Sequence, residues 1–249
     1  MTSFVFKIIA MVTMVCDHIG TLLFPDSVAL RCIGRCAFVI YAFLMAESFR
    51  HLRDRPDRIT YHLQKLSLLI LVTEVPYDYV ETGSLDDPST QTAAFTLLLG
   101  FGALALADRF RDNWKTQALI YLSAAAASYY IRSNFKLAGV LLIVAFFYYL
   151  QQFEHLSVPR RMLWLLAIML AYWPIYILGL SEFGGVQAWI DTFVRRLPWL
   201  AVHIALVVPL ACYNGQLGYR SKAFNFVYSW FYPLHFAVLS LVRFFFVAG

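Results

Sequence analysis

Apolar stretches close to the length that crosses a lipid bilayer recur from one end of this sequence to the other. A helix rises about 1.5 Å per residue, so about 20 apolar residues span the hydrocarbon core. Of the 249 residues, 61% are hydrophobic and 14% are charged, whereas soluble domains carry about 25% charged residues. We therefore expect an all-α polytopic transmembrane helical bundle in contact with membrane lipid, forming a single domain over residues 1–249.

The apolar runs, read against Pro, Gly and charged residues, predict about nine spans, with eight or ten as alternatives. The first run carries Asp17 and His18, and no small-residue cleavage site follows it. We interpret it as a retained span and not as a signal peptide. The predicted spans are residues 4–24, 29–49, 62–80, 93–109, 117–132, 135–153, 161–180, 197–213 and 224–247.

The loops between these spans alternate in charge. The third-to-fourth connection contains Glu81, Asp86 and Asp87 and no Lys or Arg. Lys and Arg accumulate in cytoplasmic loops, so the N-terminus is predicted to be cytoplasmic, in a bacterial inner membrane. Arg195 and Arg196, placed before the predicted eighth span, depart from this pattern. The basic loop residues are Arg50, Arg53, Arg55, Arg58, Lys65, Arg109, Arg111, Lys115, Arg160, Arg161, Arg220 and Lys222.

The basic residues form no patch with interleaved aromatic side chains, so the net charge of +5 does not indicate a nucleic-acid partner. All four cysteines lie in apolar stretches without the spacing of a disulfide framework or a zinc site. We therefore expect no metal, and packing roles for the cysteines.

Ionisable residues fall within the first three predicted spans, at similar depth toward the outer side. Each charge at the centre of a span costs about 2.5 to 3.5 kcal/mol, so these groups are expected to pair or to line water. A structural ion pair of Arg35 with Glu74 or Asp17 is one interpretation; a functional cluster is the other. The residues are Asp17, His18, Arg31, Arg35, Glu74 and Asp78.

His18 is the strongest candidate for a general base. On a helix it projects about 100° away from Asp17, so its imidazole can face a cavity while the carboxylate bonds within the bundle. His235, two residues after Pro233 in the last span, is a second candidate for the same cavity. His203 stands alone in an apolar helix, where a structural role is expected.

Several short motifs, in this order along the chain, resemble the TraX family, the conjugal-transfer membrane proteins associated with N-terminal acetylation of pilin. One stretch differs from the family pattern: Asn134-Phe135-Lys136 stands where an Asp-Tyr-Gly-like sequence is expected. The motifs are Lys7-Ile8-Ile9-Ala10, Asp17-His18-Ile19-Gly20, Leu30-Arg31-Cys32-Ile33-Gly34-Arg35-Cys36-Ala37-Phe38 with Glu47, Thr73-Glu74-Val75-Pro76-Tyr77-Asp78, Phe95-Thr96-Leu97-Leu98-Leu99-Gly100, Tyr213-Asn214-Gly215-Gln216-Leu217-Gly218 and Phe231-Tyr232-Pro233-Leu234-His235.

The resemblance implies a membrane acetyltransferase that uses cytoplasmic acetyl-CoA as co-substrate. The acceptor would be the N-terminal amine of a pilin, or another surface-exposed group. His18 would act as base, Arg31 or Arg35 would stabilise the oxyanion, and Asp17, Glu74 and Asp78 would orient them. The expected CoA-binding residues at the inner side are Arg50, Arg53, Tyr213, Asn214, Arg220 and Lys222.

Other functions remain open at this point. A non-catalytic pilus-assembly partner or a transporter could use the same charges for helix packing or proton transfer. Acyl transfer to a sugar or lipid hydroxyl is a further alternative, and a direct transfer and an acetyl-histidine intermediate are both chemically possible.

Overall fold

The computed structural model describes residues 1–182, 184–219 and 221–247. These residues form an all-α architecture, in which a single isolated bridge pairs Gln91 with Ser133. The prediction of an all-α fold is therefore confirmed. The helices are α1 (Ser3–Leu22), α2 (Val28–Leu52), α3 (Pro56–Thr82), α4 (Ala93–Ala107), α5 (Trp114–Tyr130), α6 (Lys136–Gln152), α7 (Val158–Leu180), α8 (Gly185–Ala205), α9 (Val207–Ala211) and α10 (Lys222–Val242).

Within the described residues, seven stretches are long and apolar enough to cross a membrane, with α8 and α9 counted together. Helix α3 is long enough but carries charged residues along its length, and α5 has 17 residues. The chain is thus a multi-pass membrane protein, while the prediction of about nine spans is not confirmed. The seven stretches are Ser3–Leu22, Val28–Leu52, Ala93–Phe110, Lys136–His155, Val158–Leu180, Gly185–Ala211 and Lys222–Phe246.

The helices alternate in direction, so the loops collect at two ends of the bundle. At the basic end, Arg53 pairs with Asp108 at 2.8 Å, and Arg50 pairs with Glu154 at 3.0 Å. At the opposite end, which we call the acidic-loop end, the loop between α3 and α4 lies against the α5–α6 turn, where the Gln91 amide donates to the Arg132 carbonyl. The first helix begins at the basic end.

Helix α8 begins at Gly185, twelve residues before the predicted start at 197. The prediction that Arg195 and Arg196 precede this helix is therefore wrong. The Arg196 guanidinium lies 3.9 Å from the ring centroid of Trp199, one turn further along the same helix. This amphipathic first half lacks a continuous apolar run, so a search for apolar stretches does not detect it.

Helix α2 is the centre of the bundle, because most of its residues from Gly34 to Phe49 are buried. It packs closely on α1 and also contacts α4, α6 and α8. Helix α3 instead packs mainly on α4 and α10 and has few contacts with α1 and α2. The resulting space between α2 and α3 holds the candidate site.

Candidate active site

A cavity of about 510 Å³ lies between α2 and α3. Side chains from α1, α4 and α10 and from the turn before α6 complete its walls. On α2 its lining includes both Arg35 and His51, which are about 24 Å apart at 1.5 Å per residue. The middle of the cavity is apolar, with Leu44 and Leu97 among its lining residues. It therefore connects the basic end of the bundle to the buried ionisable residues through an apolar passage.

The Asp17 carboxylate holds two arginines of α2. Arg31 Nη1 lies 2.8 Å from Asp17 Oδ1, and Arg35 Nη2 lies 2.8 Å from Asp17 Oδ2. Both carboxylate oxygens are thus used, and Arg31 also donates to the Thr21 hydroxyl. The sequence allowed Glu74 or Asp17 as the partner of Arg35, and in the structure the partner is Asp17. We refer to Asp17, His18, Arg31 and Arg35 as the charged layer.

Two glycines bring α1 and α2 close enough for these ion pairs. A Cβ atom added to Gly34 would lie 2.2 Å from the Asp17 Cβ, and one added to Gly20 would lie 2.9 Å from the Leu30 Cβ. Real carbon atoms do not approach so closely. The close approach of the two backbones consequently requires glycine at both positions. It also brings the Asp17 carboxylate within ion-pair distance of both guanidinium groups.

Arg35 is positioned from several sides. Its guanidinium carbon lies 4.8 Å from the Trp199 ring centroid, and its backbone carbonyl is 3.2 Å from His203 Nε2. The residue is 8% exposed and lines the cavity, and its Nε has no hydrogen-bond acceptor among the described residues. Arg31, by contrast, does not line the cavity. Of the two predicted oxyanion-stabilising arginines, the geometry favours Arg35.

His18 and His235 are in direct contact. Nε2 of His235 lies 3.1 Å from Nδ1 of His18, and Nδ1 of His235 lies 3.1 Å from the Phe231 carbonyl oxygen. His18 lines the cavity, whereas His235 lines an apolar groove on the outer side of α1 and α10. Sequence reasoning named both residues but not their hydrogen bond.

Glu74 and Asp78 do not reach the charged layer. Glu74 Oε1 accepts from the Thr92 amide at 3.3 Å, and Asp78 Oδ2 accepts from the Asp87 amide at 3.1 Å. In the described part of the chain neither forms an ion pair with an arginine. They hold the loop between α3 and α4 instead. In that loop, hydrogen bonds from the amide and hydroxyl of Ser89 lower the pKa of Asp87.

The cavity wall beside the charged layer includes the stretch that departs from the family pattern. Asn134 and Phe135 line the cavity together with Tyr77, and Asn134 Nδ2 donates to the Tyr77 hydroxyl at 3.1 Å. Lys136 points elsewhere, since its ammonium donates to the Gly179 carbonyl at 2.8 Å. An uncharged amide therefore faces the cavity at this point.

Five basic or imidazole side chains line the cavity at the basic end of the bundle, where His51 and Arg55 are exposed. They come from the start of α1, the end of α2, the connection before α3 and the first half of α3. We call them the basic mouth. Sequence reasoning used Arg55 and Lys65 for membrane orientation alone, because their convergence with a residue of α1 depends on helix packing. The residues of the basic mouth are Lys7, His51, Arg55, His62 and Lys65.

The five predicted CoA-binding residues that the structure describes do not line this cavity. Arg50 and Arg53 are held by Glu154 and Asp108. Asn214 caps its own loop, accepting from the Gln216 amide at 3.1 Å, and Lys222 is exposed at the start of α10. Arg220 lies outside the described residues.

Tyr213, the last of that predicted set, belongs to a buried network around Glu47. The Tyr213 hydroxyl and the Ser3 hydroxyl both donate to Glu47 Oε1, the second at 2.7 Å. Nε2 of His51 lies 3.5 Å from the same oxygen. Glu47 and His51 line the cavity. The network therefore stabilises the floor of the basic mouth.

The arrangement suits acyl transfer. A histidine that lines the cavity can accept a proton, and a buried arginine that lines the same cavity can stabilise an oxyanion. Among the described residues no three His, Cys, Asp or Glu side chains come together in a way that could hold a metal ion. An extended ligand with a phosphate-bearing end and a reactive far end would match the basic mouth, the apolar passage and the charged layer.

Comparisons with known proteins place the chain in a family. The model of a family described as "TraX protein" matches residues 3–243. A curated protein of Dichelobacter nodosus, described as "Probable fimbrial assembly protein FimC, serogroup H1", is 25% identical over 264 residues, which cover 98% of this chain and 96% of that protein. No solved structure matches the chain.

Proposed function

Since the chain belongs to the TraX family, we propose that it is a membrane-embedded acetyltransferase. It moves an acetyl group from cytoplasmic acetyl-CoA to an acceptor at the outer face of the bacterial inner membrane, the N-terminal amine of a pilin subunit. The observation that carries the proposal is the cavity that lies between the basic mouth and His18. It offers a route by which an activated acetyl group crosses much of the membrane without leaving its carrier.

The basic mouth supports binding of the nucleotide end of CoA. Lys7 of α1, Arg55 just before α3 and Lys65 of α3 converge there, and clustered ammonium and guanidinium groups form charge-assisted hydrogen bonds with phosphate oxygens. The pantetheine arm would follow the apolar passage past Leu44 and Leu97. Under this proposal the N-terminus and the basic mouth lie on the cytoplasmic side, which agrees with the positive-inside rule.

In the charged layer the transfer requires a base and an oxyanion donor. The acceptor amine attacks the thioester carbonyl, a carbon–nitrogen bond forms, and the carbon–sulfur bond breaks. His18 takes the proton from the attacking nitrogen and returns it to the departing thiolate, which leaves as the free thiol of CoA. Arg35 stabilises the oxygen of the tetrahedral intermediate, and Asp17 holds the arginine in place.

Acetyl-CoA binding and acetyl transfer by the purified protein test the proposal together. In detergent or nanodiscs, the wild-type protein should bind acetyl-CoA and should transfer a labelled acetyl group to a peptide with a pilin N-terminus. His18→Ala should retain binding and lose transfer. A protein that does not bind acetyl-CoA would overturn the proposal, and transfer at the wild-type rate by His18→Ala would remove the role of this residue. Transfer to a glycan or lipid hydroxyl would identify an O-acyltransferase.

A second candidate function is a non-catalytic role in pilus assembly. The relative from Dichelobacter nodosus favours it, since that protein is described as a probable fimbrial assembly protein. An assembly partner has no need of a phosphate-binding mouth joined to a buried histidine. Loss of pili with unchanged acetylation on deletion of the gene would favour this function.

A further inference from the structure

The hydrogen bond between His18 and His235 has a defined direction. A backbone carbonyl can only accept, so Nδ1 of His235, 3.1 Å from the Phe231 oxygen, must carry a proton. A neutral imidazole has one protonated nitrogen, which leaves Nε2 of His235 as an acceptor. The 3.1 Å contact then requires that Nδ1 of His18 carry the proton and donate. The remaining nitrogen of His18, Nε2, holds a lone pair.

We propose that His235 is a positioning residue, which keeps the proton of His18 on Nδ1 and so presents Nε2 as the base to the cavity. This rests on the acyl-transfer function proposed above and extends it. His235 does not line the reaction cavity and lies instead against the apolar groove formed with Val15 and Leu234. It acts on the reaction through His18.

The chain of hydrogen bonds serves both protonation states of His18. After His18 accepts a proton on Nε2 it still donates from Nδ1, so the contact with His235 persists through the reaction. A carboxylate could fill the same position, but His235 acts as a neutral acceptor in this arrangement, and its Nδ1 is held by the Phe231 carbonyl. Pro233 lies two residues before His235 within α10. The carboxylate nearest to His18 in sequence, Asp17, is occupied by the two arginines.

Aromatic side chains packed around His18 and His235 hold the two imidazole rings in a fixed relative orientation. The Phe236 ring centroid lies 4.5 Å from that of His18 and 4.2 Å from that of His235. The Phe231 ring stacks on His235 at 5.5 Å with an interplanar angle of 11°. These aromatic side chains restrict ring rotation, which would otherwise replace the bonded nitrogens by the ring carbons Cδ2 and Cε1. A leucine could fill the same volume, but it has no acceptor for the His18 proton.

The side-chain oxygen of glutamine can replace a histidine Nε2 as acceptor, which gives a matched pair of variants. We expect His235→Leu to lower kcat by about 10²-fold or more, because an imidazole held in the wrong tautomer loses most of its effect as a base. The KM for acetyl-CoA should stay within about twofold, since the basic mouth is unchanged. His235→Gln should keep kcat within about tenfold of the wild-type value.

A direct measurement of the tautomer does not depend on activity. With ¹⁵N-labelled histidine, the His18 signals can be assigned by their loss in His18→Asn. The wild-type protein should show His18 protonated on Nδ1, and His235→Leu should shift the population toward Nε2. A wild-type His18 protonated on Nε2, or an unchanged tautomer in His235→Leu, would overturn the inference.

The two experiments separate the two proposals. The expected tautomer in a protein that transfers no acyl group would preserve the role of His235 and contradict the function. Equal loss of kcat in His235→Leu and His235→Gln, with a correct fold shown by unchanged thermal unfolding, would reject the positioning role and leave the function standing.

Discussion

Gly34 of α2 lies directly against Asp17 of α1, so closely that a Cβ on the glycine would come 2.2 Å from the aspartate Cβ. The same aspartate pairs with Arg31 and Arg35, which flank Gly34 on the α2 surface. The packing of α1 on α2 and the ion pairs of Asp17 therefore depend on the same few residues. The approach of the two backbones sets the geometry of the charged layer.

Gly34→Ala should separate the two helices and weaken both ion pairs. We expect a loss of about 1–3 kcal/mol in the free energy of unfolding, as for other overpacked cores, and a fall in acetyl transfer. Thermal unfolding in detergent and the transfer assay measure the two effects. Gly102→Ala is the matched control, since a Cβ there would meet its nearest neighbour, Leu63, at an ordinary 3.8 Å. Equal stability of the two variants would contradict this account of the crossing.

Arg35 and Arg31 should differ in their contribution to the reaction, although they share Asp17. Arg35 lines the cavity and Arg31 does not. Arg35→Lys should lower kcat by about 10²- to 10³-fold, the usual effect of removing an oxyanion donor, whereas Arg31→Lys should retain most of the activity. Steady-state kinetics with a pilin peptide provides the comparison. A larger loss of kcat in Arg31→Lys than in Arg35→Lys would show that Arg31, and not Arg35, contacts the oxyanion.

The basic mouth should determine the affinity for acetyl-CoA. Arg55→Ala and Lys65→Ala should each raise KM for acetyl-CoA by about tenfold with little change in kcat, because each removes a charge-assisted phosphate contact. The effect should shrink as salt is added. Lys222→Ala, at an exposed position outside the cavity, is the control. If the Lys222 variant alone raised KM, the phosphates would bind at the start of α10 and not at the basic mouth.

A bulky side chain in the apolar passage should separate binding from transfer. Leu97 lines the cavity in its middle, and its neighbour Leu98 does not. Leu97→Trp should block the passage and reduce transfer strongly, while the affinity for a CoA fragment without the pantetheine arm stays unchanged. Leu98→Trp places the same indole outside the cavity and should be active. Full transfer by Leu97→Trp would show that the acetyl group takes another route.

Much of the fold follows from local sequence. The apolar runs of α2, α4, α6 and α7 predict helices because each is long and is bounded by charged residues or turns. Helix α8 was predicted to begin too late, since its first half alternates charged and apolar residues in a helical period. The turn after α5 was harder to predict, because Arg132 adopts a φ of +58° that glycine usually supplies.

The site was predicted where its parts are close in sequence. The four-residue spacing of Arg31 and Arg35 puts both on one face of α2, as the structure shows. The same argument for Glu74 and Asp78 correctly gives a shared face but cannot tell that this face turns toward the loop. The contact of His18 with His235 joins residues 217 positions apart, and no local pattern contains that information.

The floor of the cavity joins the start of α1 to the segment that follows α9. Ser3 bonds through its backbone amide to the Gln216 carbonyl, and its hydroxyl reaches Glu47 beside Tyr213. During translation Tyr213 and Gln216 emerge some two hundred residues after Ser3 itself. Until then Glu47 can bond to Ser3 within the first two helices but lacks the Tyr213 hydroxyl, so the floor closes only after α9 has been synthesised. Nascent chains truncated before Tyr213 would accordingly hold the whole charged layer, lack both Tyr213 and His235, and be unable to close the floor.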